Sequence, residues 1–290
     1  ISPICNILKN LGNLGITHGS INHRTCFFTQ DGKIVVGECI SSPCGFFQED
    51  LYEPIERVGL LPIGKGEGDQ STDFFALGVL SLYAQLGRYP INDKDYENLA
   101  FLRYEKNSYE AISSGLKFSP VMKNFYRGTL WDQKEDRWKA KQLLDWIRGT
   151  RLAIIPNRNK ENASRHLIFN DKYFLNKRGL VYELSNNWDL AKKFLKEDKI
   201  IKWIDRHFED SITAEKLQHI KDIRMSNRSI IYMDDDEFVC RSLFILDPDK
   251  ILRFRDLRIR GDAIGATISY SFAKGRKDFL QYLAKLLVNN

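Results

Sequence analysis

The chain has 290 residues, 43% of them hydrophobic and 28% charged, with a formal net charge of +6. This length can bury one large core or two of ordinary size, and the balanced composition excludes a disordered tail or a fibrous repeat. No apolar run reaches the roughly 18 residues needed to cross a bilayer, so no membrane association is expected.

Cys5, Cys26, Cys39, Cys44 and Cys240 are odd in number and contain no Cys-x-x-Cys pair. That argues against a disulfide framework or a zinc ribbon and for a reducing, cytoplasmic setting. The chain opens at Ile1 with no basic and apolar leader, as expected of a piece of a longer protein rather than a secreted precursor. The positive excess falls after about residue 150, the earlier part being close to neutral.

Ile4, Ile7, Leu8, Leu11 and Leu14 recur at helical spacing and the run closes on Gly15, which predicts an amphipathic helix with a glycine stop. Thr17 to Asn22 is polar and irregular. Cys26 to Thr29 and Lys33 to Val36 flank Gln30-Asp31-Gly32, the pattern of a short hairpin. Glu38 to Asp69 carries prolines and glycines without a sustained period and is expected to be a long surface segment. Asp73 to Leu86, strongly apolar with Gly78 inside, suits a helix buried on most sides. Amphipathic helices are expected through Tyr96 to Ser113 and Lys139 to Ile147.

Arg148 to Lys160 has the composition of a linker, dividing the chain into residues 1–149 and 150–290. Beyond it, His166 to Phe174 fits strand or helix, and Leu190 to Phe208 reads as an amphipathic helix. Ser229 to Met233 and Phe238 to Leu246 are β-like runs flanking Asp234-Asp235-Asp236-Glu237, and Asp278 to Val288 is a terminal helix. The fold class expected is a mainly α first domain with a short hairpin and a basic C-terminal α+β domain.

The order of helix, Leu-Gly-Ile-Thr-His-Gly-Ser-Ile-Asn-His-Arg-Thr (Leu14 to Thr25), hairpin, long loop and Asp-led buried helix resembles the C-terminal lobe of protein kinases over residues 3 to 147. His18-Gly19-Ser20-Ile21 stands where that family has His-Arg-Asp-Leu, and Val36-Gly37-Glu38-Cys39 where it has an apolar residue before Asp-Phe-Gly. Asp73-Phe-Phe-Ala-Leu-Gly78 resembles the family's Asp-x-Trp-Ser-Leu-Gly helix. Asp136-Arg137-Trp138 with Ala140 and Leu143 resembles its last turn and helix. The resemblance implies that His18, Asp73, Gly78 and Arg137 support the lobe's backbone.

Kinase chemistry needs one carboxylate to accept the substrate proton, and a second carboxylate plus an amide to hold magnesium. Here those positions are Ser20, Gly37 and Thr25. Gly19 replaces an arginine that in many kinases receives an activating phosphate. Leu61-Pro62-Ile63 is the nearest counterpart of Ala-Pro-Glu, which leaves the partner of Arg137 open; that guanidinium must find another acceptor or reach solvent. The expected activity is therefore a pseudokinase module that binds or scaffolds a protein, with no catalytic residue, no cofactor and no nucleotide in this stretch. The rival is an atypical serine/threonine kinase whose N-terminal lobe precedes Ile1, with Glu38 as the one residue that could contact a metal.

Other candidates are weaker. Arg253, Arg255, Arg258 and Arg260 alternate with Leu252, Phe254, Leu257 and Ile259 and could place guanidinium groups on one exposed face, for an acidic partner or, less favoured, nucleic acid. Asp234 to Glu237 lacks the spacing and glycine of a calcium loop. His166, His207 and His219 have no ligand at metal-binding spacing, so no metal site is expected.

Overall fold

The computed structural model describes residues 1–37, 44–92, 96, 98–153, 162–225 and 233–288. Over these residues the chain is mainly helical, with short antiparallel hairpins, and divides into compact units at 1–157 and 158–290. Glu38, Cys39, most of the linker after Ala153 and most of the run Ser229 to Met233 lie outside the described residues.

In the first unit, α1 (Ser2–Asn13) buries Ile4, Cys5 and Leu8, and Gly15 follows it at φ 69°. Strands β1 (Cys26–Phe28) and β2 (Ile34–Val36) pair antiparallel, Cys26 opposite Val36. Helix α2 (Gln70–Leu86) starts where the Asp69 carboxylate accepts the Ser71 N–H at 2.8 Å, an N-cap that satisfies one orphan amide. Phe74, Phe75, Leu77, Val79 and Leu82 are all buried, so α2 is the axis of the core. Short helices α3 (Leu99–Lys106) and α4 (Ser108–Ile112), then α5 (Pro120–Thr129) and α6 (Ala140–Ile147), complete the unit. Helix α5 had no counterpart among the sequence expectations; Ser119 caps it and Pro120 opens it.

The segment expected on the surface is instead largely interior where it is described. Between Cys44 and Asp69 it makes three 3-10 turns and buries Leu51, Tyr52, Ile55 and Val58. A buried loop must satisfy its carbonyls without water. Two cations do so: Arg57 donates to the Lys65 and Cys44 carbonyls at 2.7 Å each, and Lys65 Nζ donates to those of Gly45 and Gln48 at 3.2 and 2.8 Å.

In the second unit, β3 (Asn162–Phe169) and β4 (Lys172–Asn176) form a hairpin whose turn residues Asn170 and Asp171 both have positive φ, 49° and 57°. Paired left-handed residues suit the twist of a two-residue hairpin, so His166 to Phe174 is strand, turn and strand. Helices α7 (Lys177–Asn186), α8 (Trp188–Phe194), α9 (Lys199–Phe208), α10 (Ser211–Met225) and α11 (Asp235–Leu246) follow. The expected single helix through Phe208 breaks after Phe194, where Lys196 and Glu197 donate to the carbonyls three residues back, a tightened turn that ends a helix.

Phe238 to Leu246 is helix, not strand. Asp234 caps α11 by accepting the Glu237 N–H at 2.8 Å, and Asp235, Asp236 and Glu237 occupy the first turn, where a helix dipole favours negative charge. An apolar run of this length fits either structure until the cap is recognised. Strands β5 (Leu252–Phe254) and β6 (Leu257–Ile259) form the last hairpin, before α12 (Ile264–Ala273) and α13 (Lys277–Val288).

Gly78 is a close-approach position. A Cβ there would meet Thr129 Oγ1 and lie 2.9 Å from Thr129 Cβ and 3.0 Å from Leu130 Cδ2. Thr129 cannot swing away without breaking its buried bond to the Phe125 carbonyl. Gly78→Ala is expected to destabilise the first unit by about 1–3 kcal/mol, the usual cost of overpacking, read as a lower urea midpoint with unchanged slope. A midpoint equal to or above wild type would show that α2 and α5 are not packed this closely.

Candidate functional site

The loop Thr17 to Thr25 runs from α1 into the first hairpin and is fixed from below by α2. Asp73, on the first turn of α2, accepts the His18 N–H at 2.9 Å and the Gly19 N–H at 2.8 Å. Burial pushes its carboxyl up to about 7, against the pull of those two amides. Gly19 sits at φ 69°, and a Cβ there would lie 2.6 Å from the Gly45 amide nitrogen and against Cys44 Sγ. No side chain fits, so the arginine of the kinase pattern could not be restored here without moving the loop.

The buried His18 ring links two of the predicted positions. Its Nδ1 accepts the Ser20 N–H at 3.2 Å, which leaves Nε2 protonated to donate to the Gly37 carbonyl at 3.3 Å. Burial holds its pKa below the usual value, so the ring is neutral at pH 7. Thr25 turns its hydroxyl onto the Ser20 carbonyl and accepts the Asn22 N–H at 3.1 Å. Gln48 closes the loop from the neighbouring segment, accepting from Asn22 Nδ2 at 2.7 Å and donating to the Ile21 carbonyl at 3.1 Å. Ser20, Thr25 and Gly37 are thus brought together. What gathers there is backbone, hydroxyl and a neutral imidazole; Glu38 lies outside the described residues.

Arg137 has a partner that sequence reasoning missed. Glu56 accepts from both terminal nitrogens at 3.0 Å, a bidentate pair, while Nε donates to the Trp131 carbonyl at 2.7 Å. Burial raises the Glu56 carboxyl, but the Arg137 charge and hydrogen bonds outweigh it and leave the group below the ordinary range. Nothing in the spacing distinguishes Glu56 from Glu53 or Glu67. Glu53 instead pairs with Arg57 at 2.8 Å and Lys65 at 3.1 Å, all three buried.

On the other flank of the loop, His23 stacks on Tyr83 with centroids 4.6 Å apart, and its Nδ1 lies 2.9 Å from the Tyr52 hydroxyl. Its Nε2 is 3.3 Å from the Tyr89 hydroxyl, which donates to Glu49 Oε2 at 3.3 Å. One assignment satisfies the chain: Tyr52 donates to His23, His23 to Tyr89, and Tyr89 to Glu49. An apolar cavity of about 390 Å³ lies between α1, the hairpin and α2, lined by Ile4, Phe27, Phe28, Ile34, Leu77 and Leu80 and bordered by His23 and Tyr83 themselves.

The arginines proposed for partner binding do not share an open face. They lie on a hairpin, not one strand, with Arg253 opposite Arg258. Arg253 is 4% exposed and ion-paired with Asp247. Arg255 pairs with Asp236 at 2.7 Å, Arg260 with Asp262 at 3.1 Å, and Arg258 donates to Asn186 at 2.6 Å. The acidic run of α11 is equally engaged: Lys285 meets Asp234 at 2.9 Å, Lys196 and Arg224 meet Asp235 at 3.0 and 2.6 Å, and Lys192 meets Asp236 at 2.5 Å. Among the described residues, no group of three His, Cys, Asp or Glu is placed to hold a metal ion, and no helix is long and apolar enough to cross a membrane.

Two measurements test these assignments. Glu56→Gln leaves the Arg137 charge buried without its counter-ion and is expected to cost about 3–5 kcal/mol, with Glu56→Gln/Arg137→Met recovering part of it; a loss under about 1 kcal/mol would mean the pair is not buried as described. Burial raises Asp236, but hydrogen bonds from Lys192, Trp188 and Arg255 outweigh it and hold the group near 2. Its folded pKa lies below its ordinary value of 3.8, so its contribution is present above that value and lost as pH falls toward 2. Asp236→Asn should therefore flatten the decline of the denaturant midpoint between about pH 4 and 2, and an unchanged decline would remove the assignment.

No protein-family model, curated protein or solved structure matches this chain.

Proposed function

We propose that residues 1–149 are a kinase-like lobe that binds and positions a protein partner instead of transferring phosphate, joined to a basic α+β accessory unit. The observation that carries this reading is the pair of positions clamped by the buried His18, Ser20 through its amide and Gly37 through its carbonyl. In kinase-type transfer, the first must accept the substrate hydroxyl proton and the second must bind magnesium. A serine hydroxyl is no base near neutral pH, and loss of a general base typically costs about 10²- to 10⁴-fold in rate. Glycine offers no metal ligand, and the Thr25 hydroxyl is already turned onto the Ser20 carbonyl.

The scaffold positions of the resemblance support the same reading. Asp73 holds the loop through the amides of His18 and Gly19, Gly78 lets α2 meet α5, and Arg137 ties the last turn to the interior segment through Glu56. Interactions that keep a lobe in shape are present, and the groups that would perform the reaction are replaced by ones that cannot.

The protein is expected to show no thermal shift with millimolar magnesium and adenosine triphosphate, where a ligand at 100 times its Kd would add about 2.7 kcal/mol of stability. Saturable stabilisation together with labelled-phosphate transfer that is lost in Ser20→Ala would overturn the proposal in favour of an atypical kinase.

A further inference from the structure

Beside the His18–Thr25 loop, a cavity of about 400 Å³ is lined by Arg24, Glu49, Tyr89, Ile91 and Tyr96. The rings of Tyr89 and Tyr96 stand at 70° to each other with centroids 6.2 Å apart, forming two walls. Both hydroxyls donate to the same oxygen, Glu49 Oε2, at 3.3 and 3.4 Å. The carboxylate is thereby fixed between the rings while its other oxygen, Oε1, is left for a cation. Two electron-rich ring systems and a held carboxylate are the components that recognise a positive side chain.

A cation already stands there. Arg24 lies 3.1 Å from Glu49 Oε1, yet its side chain is 71% exposed against 21% for that of Glu49. The anion is built into the wall and the cation is held loosely at the rim, where an ion pair is worth little and is readily exchanged. Burial keeps His23 below its usual pKa despite the pull of Glu49, so the neighbouring ring adds no competing positive charge. Burial, reinforced by the Glu49 charge, likewise raises Tyr89 and takes Tyr96 up to about 12, so both walls stay neutral phenols.

We propose that Glu49, Tyr89 and Tyr96 form a cation cage that takes an arginine side chain of a partner polypeptide in exchange for the chain's own Arg24. A guanidinium is the form the cage already holds, and its planar fork can meet a carboxylate edge and lie against a ring at once. The inference rests on the partner-binding reading above and supplies the chemistry of the partner.

The test is a chemical-shift titration of the 290-residue chain with acetyl-Gly-Arg-Gly-amide and with its lysine and citrulline analogues. The arginine peptide should shift the Tyr89 and Tyr96 ring resonances saturably, the lysine peptide more weakly, and the neutral citrulline peptide not at all. Arg24→Ala should tighten binding by about two- to fivefold, because it removes the internal competitor of an exposed ion pair. Glu49→Gln should weaken binding by a similar factor or more, and Tyr96→Ala should weaken it where Tyr96→Phe keeps the ring and most of the affinity. Thermal midpoints show which variants remain folded, and Arg24→Ala, an exposed change, remains decisive if Glu49→Gln does not fold.

Equal binding of citrulline and arginine peptides, or no gain in Arg24→Ala, would overturn the cage. Equal binding of lysine and arginine would overturn its guanidinium preference. Phosphate transfer by a protein that still binds the arginine peptide would sink the scaffold reading alone; absence of both transfer and arginine-dependent shifts would sink the cage alone.

Discussion

The first unit depends on one carboxylate. Asp73 projects from the most buried helix and accepts the amides of His18 and Gly19, two consecutive N–H groups that no strand or helix would otherwise satisfy. An unsatisfied buried amide costs about 1–3 kcal/mol, so an irregular loop can pass through an interior only where such an acceptor waits for it. With the loop's entry fixed, the His18 ring can reach Ser20 and Gly37, and Gln48 can seal Asn22 and Ile21. The geometry around Ser20 follows from Asp73 rather than from the loop's own preferences.

The same logic explains why the chain between Cys44 and Asp69 goes inside. Arg57 and Lys65 act as internal solvent, donating to the backbone carbonyls of Cys44, Gly45, Gln48, Lys65 and Gly66, while Glu53 balances their charge. Burial raises the Glu53 carboxyl and the two cations oppose it. Buried charges of this kind give little net stability compared with apolar packing, but they are costly to break one at a time. Their effect is to hold one conformation of a segment that has no regular ladder. The Arg137–Glu56 pair closes the set by tying the last turn of the unit to the middle of that segment.

The second unit uses charge differently. Lys192, Lys196, Arg224, Arg255 and Lys285 converge on Asp234, Asp235 and Asp236 at the start of α11. The acidic residues stabilise a helix start, and the surrounding cations relieve their mutual repulsion. A basic composition is thus absorbed in part by internal pairing. Trp188 and Trp203, 8% and 3% exposed, are core residues whose indole N–H groups find Asp236 and the Arg165 carbonyl.

What the sequence by itself determined is local. The period of Ile4, Ile7, Leu8, Leu11 and Leu14, the Gln30-Asp31-Gly32 turn, and the unbroken apolar run of α2 each specify an element from neighbours a few residues apart, and those elements are present. The helix through Phe238 to Leu246 is also specified locally, by the Asp234 carboxylate that accepts the Glu237 N–H three residues on, although the apolar run by itself is ambiguous. His18 and Asp73, singled out in the sequence only through a resemblance, do meet in the fold, where the Asp73 carboxylate accepts the His18 N–H at 2.9 Å. Tertiary structure alone decided which glutamate meets Arg137, since Glu53, Glu56 and Glu67 look alike until the chain is folded and only Glu56 is brought to the guanidinium. It assembled Glu49, Tyr89 and Tyr96 from separate segments whose spacing carries no period. Elements formed by near neighbours are legible in the order of residues; contacts between distant ones exist only once the entropy of bringing them together has been overcome.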